Sequence, residues 1–145
     1  VSEPAPRRAR ILGVDLGDAR VGLALSDSSH VLASPYAILD ARDEQSLFAE
    51  IGRVIDEHGV GLVVIGLPKS MNGAIGPRAE ATLAIVERLR ARLGVPIELV
   101  DERLSTVEAQ RHGAAVGRAP RRIDDRAAAI ILQSFLDAQV MRDGA

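Results

Sequence analysis

The chain has no cysteine and no tryptophan, and only Tyr36, Phe48 and Phe135 are aromatic among its 145 residues. Without thiols there are no disulfides and no thiolate metal sites. With three rings spread along the chain, a surface that stacks bases on aromatic platforms has little to be built from. Lysine is nearly missing too: Lys69 is the one lysine beside seventeen arginines. No apolar run approaches the roughly 20 residues that span a bilayer. The opening VSEPAPRRAR has no apolar stretch of signal-peptide type. The expectation is a cytoplasmic protein with no membrane partner. Nor is there an excess of either charge. A formal charge of −2 argues against a surface that is basic all over. A local arginine patch could still grip phosphate, although a compositional bias toward Ala, Arg, Gly and Val accounts for most of the arginine excess.

What the chain does have is a length that supports one domain with one core, expected over residues 10–142 behind a flexible arm at 1–9. The stretch Ile11 to Asp27, ILGVDLGDARVGLALSD, reads as two strands, 10–17 and 20–27, joined by a tight turn. Gly17 stands where the chain must reverse, and the expectation is a positive φ there. Val31 to Leu39 contains Pro35 and fits an edge strand. Asp43 to His58 reads as a helix, with Leu47, Ile51, Val54, Ile55 and His58 at helical spacing and Gly59 as its C-cap. Val60 to Gly66 is a continuous apolar run, suited to a strand covered on both faces. Pro77 opens the next helix, which Gly94 closes. Val95 to Val100 is the last strand, running into Asp101, Glu102 and Arg103. A helix capped by Ser105 or Thr106 follows and fades by Gly113 to Gly117. Arg118 to Arg122 reads as a basic connection, and Asp124 starts a final helix with Ala128, Ile131, Leu132, Phe135 and Gln139 on one side.

Three strands followed by two crossover units give an α/β mixed sheet with helices on its faces. This is the ribonuclease H-like arrangement, with five strands in the expected order 3-2-1-4-5. In such a sheet Asp15 ends the first strand, Glu102 ends the last strand parallel to it, and Asp124 begins the last helix, so their ends can converge. Sites in open α/β sheets are built at that edge. Three carboxylates brought together repel unless cations neutralise them, and an all-oxygen set suits Mg²⁺ or Mn²⁺. Each has an ordinary alternative: an Asx turn for Asp15, a surface pair with Arg103 or Arg20 for Glu102, and a helix cap for Asp124. Asp125 competes directly with Asp124. Arg20, Lys69, Arg103, Arg118, Arg121 and Arg122 are candidate nucleic-acid contacts, each of which could equally be a solvated surface charge.

Four spaced segments, GVDLGDARVGLALSD, VVIGLPKSMNGAIGPRA, VDERLSTVEAQ and IDDRAAAIILQSFLD, together resemble the YqgF/RuvX family. The resemblance covers Ile11 to Leu136. It implies a ribonuclease H-like nuclease, of a family described as Holliday junction resolvases and as enzymes that mature the 5′ end of pre-16S ribosomal RNA. It implies that Asp15, Glu102 and Asp124 bind metal, and its register favours Asp124 over Asp125. The implied partner is structured RNA or branched DNA. A junction-cutting activity would call for a homodimer, since two symmetric strands are cut. Two other classes compete. DLGDARVG also resembles the phosphate turn of actin-like and sugar-kinase ATPases, but no second glycine-rich phosphate turn follows. A ribosome-assembly factor that binds without cutting would not need the acidic trio.

Overall fold

The computed structural model describes residues 8–102 and 121–143, with side chains over 8–102 and 126–142. The expected helix after Ser105, and Arg103 and Arg118, lie outside the described residues. Five strands form one mixed sheet in the order β3-β2-β1-β4-β5, as the sequence pattern predicts. They are β1 (Arg10–Leu16), β2 (Arg20–Ser26), β3 (Ala33–Asp40), β4 (Val60–Leu67) and β5 (Ile97–Asp101). β1 pairs antiparallel with β2 and parallel with β4, so it lies mid-sheet.

Helices α1 (Glu44–His58) and α2 (Pro77–Arg90) cover one face. Leu12, Val14, Val63 and Ile65 meet Leu47, Phe48, Ile51, Val86 and Leu89 there. The long helix α3 (Arg121–Asp143) covers the other, where Ile11, Ala24 and Val64 meet Ala127, Ala128, Ile131, Leu132, Phe135 and Leu136. Both faces of β1 are therefore apolar core. Each fully buried Leu or Ile in these layers contributes on the order of 1.5–3 kcal/mol.

Local chemistry sets the helix ends. The Asp43 carboxylate accepts from the backbone N–H groups of Gln45 and Ser46, and Gly59 takes the left-handed conformation at φ 64°. α2 stops at Arg90 rather than running to Gly94. The N–H groups of Arg92 and Leu93 turn back to the Leu89 carbonyl, and this tightened turn lets Leu93 fold onto the core. α3 begins at Arg121, three residues before the expected Asp124. Arg121 and Arg122 thus belong to the helix and not to a connection. Arg is a good helix former, and Pro120 in the sequence is a natural residue to precede a first turn. None of the helices in the described residues is long and apolar enough to cross a membrane.

The loop after β2 hangs on one carboxylate. Asp27 accepts from the Ser29 hydroxyl and from the N–H groups of Val31 and Leu32, at 2.8 and 3.0 Å for the latter two. The Ser29 hydroxyl first, and the Leu32 amide next, hold its carboxyl well below the usual carboxylate range. A depressed folded pKa means the loop's stabilisation is complete above the unfolded value near 3.9 and is lost as pH falls through the folded value. We expect the amide hydrogens of Val31 and Leu32 to stay protected from pH 7 to about pH 4. Exchange corrected for intrinsic rates should rise only below that. Asp27→Asn should flatten the response, and an unchanged profile in that variant would refute the assignment.

Candidate functional site

β1 places Ile11, Gly13 and Asp15 toward α3. A Cβ on Gly13 would fall 2.8 Å from the Leu132 Cβ and 2.9 Å from the Ala128 carbonyl oxygen, so the helix lies directly on that strand. Asp15, two residues on, shares this face at the strand's carboxyl end and is only 8% exposed. The parallel ladder pairs Val14 with Ile65, and one step further it sets Asp15 abreast of Gly66. A Cβ on Gly66 would fall 2.9 Å from Glu102 Oε1 and 2.6 Å from Ile131 Cδ1. The Glu102 carboxylate, 5% exposed, therefore lies in a cradle that exists because residue 66 has no side chain. Asp15 and Glu102 come together on one face, at one edge, beside α3.

Position 124 lies one helical turn before Ala128 and three residues before Ala127, both of which are buried against the sheet. That is the register of the sheet-facing stripe. The side chains of Arg121, Arg122, Asp124 and Asp125 lie outside the described residues. Among the described residues no three His, Cys, Asp or Glu side chains converge as a metal-binding group. Two buried carboxylates at the ends of β1 and β5, on either side of Gly66 in β4, nonetheless fit a hard divalent ion. Burying such groups is costly unless charge is neutralised, and oxygen is the donor Mg²⁺ and Mn²⁺ prefer.

The turn between β1 and β2 needs Gly17 for a reason other than the expected one. Gly59 and Gly73 are the glycines with positive φ among the described residues, and Gly17 is not one of them. Its N–H donates to the Arg20 carbonyl at 3.0 Å, and a Cβ there would fall 2.5 Å from that oxygen. The requirement is close approach of backbone, not a left-handed conformation. Beyond the turn, a cavity of about 310 Å³ opens between Asp15, Asp18, Arg20, Gly22, Ile38 and Arg78. Arg20 thus lies where the sequence reading puts it. Lys69 follows β4 but is not among the residues lining this cavity. Arg78 was not foreseen. Its signal was a cation in the first turn of α2, where the helix dipole disfavours one.

Sheet order, crossovers and the paired carboxylates define a ribonuclease H-like fold of the nuclease class. T. thermophilus RuvC in complex with Holliday junction substrate shares the fold, with a TM-score of 0.58 at 14% identity over 92% of this chain and 97% of that one. The chain belongs to the RuvX family, described as Holliday junction resolvase, which matches residues 9–138. A relative from Thermoanaerobacter pseudethanolicus is 42% identical over 135 residues, covering 90% of this chain and 97% of its own. One from Symbiobacterium thermophilum is 44% identical over 137 residues, covering 92% and 95%. Both are named, provisionally, as pre-16S rRNA nucleases.

Proposed function

We propose that this chain is a divalent-metal-dependent endonuclease that matures the 5′ end of pre-16S rRNA in the cytoplasm. The observation that carries the reading is the Glu102 carboxylate lodged over Gly66, abreast of Asp15. Asp15, Glu102 and Asp124 would hold Mg²⁺ or Mn²⁺, the first two from strand ends and the third from the first turns of α3. When bound, such ions activate a water and neutralise charge on the scissile phosphate and leaving oxygen. The chain's own part is to fix the carboxylates rigidly: Asp15 on a mid-sheet strand, Glu102 in its glycine cradle. Arginines then meet the flanking phosphates, a recognition by shape and charge in keeping with three aromatic residues.

The RNA substrate is favoured by the names of relatives that match nearly end to end at over 40% identity. The family description favours a second reading, cleavage of four-way DNA junctions by a homodimer. The test offers purified protein a pre-16S 5′ fragment and a four-way junction, each with Mg²⁺, with Mn²⁺ and with EDTA. Expected is metal-dependent cleavage of the RNA at a defined position and none with EDTA. Symmetric incision of the junction alone would replace the RNA reading with the second. Cleavage in EDTA would overturn the metal site.

A further inference from the structure

We propose that Arg78, which lines the Asp15 cavity together with Arg20, is a phosphate-binding residue that holds the substrate strand against the carboxylates. The inference deepens the nuclease reading and rests on it for the identity of the strand.

The charge pattern of the helices singles Arg78 out. α1 and α2 hold four arginines, Arg53, Arg78, Arg88 and Arg90. Arg53 pairs with Glu50 and Glu57, Arg88 with Glu44 and Arg90 with Glu87. Arg78 has no ion pair among the described residues, although Asp15 and Asp18 line the same cavity. It also stands in the first turn of α2, against the helix dipole. A cation that works against its own helix and has no carboxylate partner among the described residues is suited to an anion from outside.

Arg20, which lines the same cavity, is in a similar situation. Its cross-strand neighbour is Asp40. That carboxylate is taken by Arg42, whose guanidinium forks onto it with contacts of 2.5 to 3.0 Å. Arg20 makes no close ion pair within the described residues, although its charge adds to that of Arg42 in lowering the Asp40 carboxyl. Two guanidinium groups therefore border one cavity with a buried carboxylate at its floor.

The floor itself has the shape a backbone needs. Cross-strand pairing sets Asp15, Gly22 and Ile38 in one row over β1, β2 and β3. Neighbouring strands lie about 4.8 Å apart, so Asp15 and Ile38 stand roughly 10 Å from each other with only glycine between. Ile38 is 42% exposed at the far end. A sugar–phosphate chain crossing this gap meets bare backbone below, an apolar side chain for its sugar at one end and carboxylates at the other. The planar guanidinium forks match phosphate oxygens two at a time.

The experiment measures binding of a pre-16S 5′ RNA fragment in the Asp15→Asn background, where it is not cut, over a series of salt concentrations. Adding Arg78→Ala should weaken binding roughly tenfold and lower the salt slope by about 0.7, the loss of one phosphate contact on a single strand. Arg78→Lys should keep the slope and recover part of the affinity, because the charge remains and the fork is lost. In the cleaving protein, Arg78→Ala should raise KM more than it lowers kcat. Arg92→Ala, the same charge change beyond the far end of α2, should match the parent. Thermal melts verify that each variant is folded. Unchanged affinity and slope in Arg78→Ala would overturn the proposal, as would an equal loss in Arg92→Ala. Should the parent protein cleave no nucleic acid, the nuclease reading fails while the binding comparison still decides the role of Arg78.

Discussion

Asp15→Asn is expected to lower the rate of phosphodiester cleavage by about 10³-fold or more while leaving the fold intact. The carboxylate is buried at the end of a mid-sheet strand, with Glu102 on the same face. Asparagine has the same shape and no charge, so it keeps the packing and removes the proposed metal ligand. Metal-assisted stabilisation of a transition state is worth several kcal/mol, and about 4 kcal/mol is a factor of roughly 10³. The measurement is single-turnover cleavage of the pre-16S fragment, beside a thermal melt by circular dichroism. A rate within tenfold of the parent, with the melt unchanged, would remove Asp15 from the chemistry. Loss of rate with collapse of the melt would reassign it to folding.

Gly66→Ala is the second large effect, and it reaches the site through packing. The new methyl would fall 2.6 Å from Ile131 Cδ1, 2.9 Å from Glu102 Oε1 and 3.1 Å from Glu102 Cγ. Ile131 is fully buried, so it can yield only by straining its neighbours. Overpacking of this kind costs about 1–3 kcal/mol. At this chain length that is a fall in Tm of roughly 2–4 °C per kcal/mol. Glu102 has to shift as well, and a displacement near 1 Å costs roughly 10²-fold in rate. The two losses separate in the double variant. Ile131→Val removes the Cδ1 atom, so Gly66→Ala with Ile131→Val should regain much of the stability and none of the rate. Recovery of the rate along with the stability would mean that Glu102 is a bystander.

The order of the strands was legible because apolar periodicity and punctuation agree along most of the chain. Val60 to Leu67 carries no polar side chain, which marks a strand covered on both faces. Asp43 and Gly59 announce the ends of α1 in the residue types that caps require. The start of α3 was not legible, since Arg121 and Arg122 bear no apolar period and their helix depends on propensity alone. Thr82 on α2 is 5% exposed, a buried hydroxyl residue that a search for apolar stripes passes over. Asp15 and Glu102 could be read as strand ends, and alternation gives their faces. Arg78 could not, because it shares a cavity with Arg20 only once a crossover brings the start of α2 near the start of β2, 58 positions earlier in the chain (78 less 20). Pairwise chemistry between distant elements leaves no period in the sequence.

β3 has a bearing on how copies of this chain could associate. It is the outer strand on its side of the sheet, and its pairing with β2 slips between Leu23 and Ala24, opposite Pro35 and Ala37. Proline offers no N–H to a neighbour, and a bulge bends the strand that carries it. A second molecule laid alongside would find the ladder interrupted at its midpoint. The interruption works against a continuous ten-strand sheet across this border. A partnership formed at this border would rest on side chains, helices or loops rather than on a continuous ladder, and the same interruption guards the border against fibrous stacking.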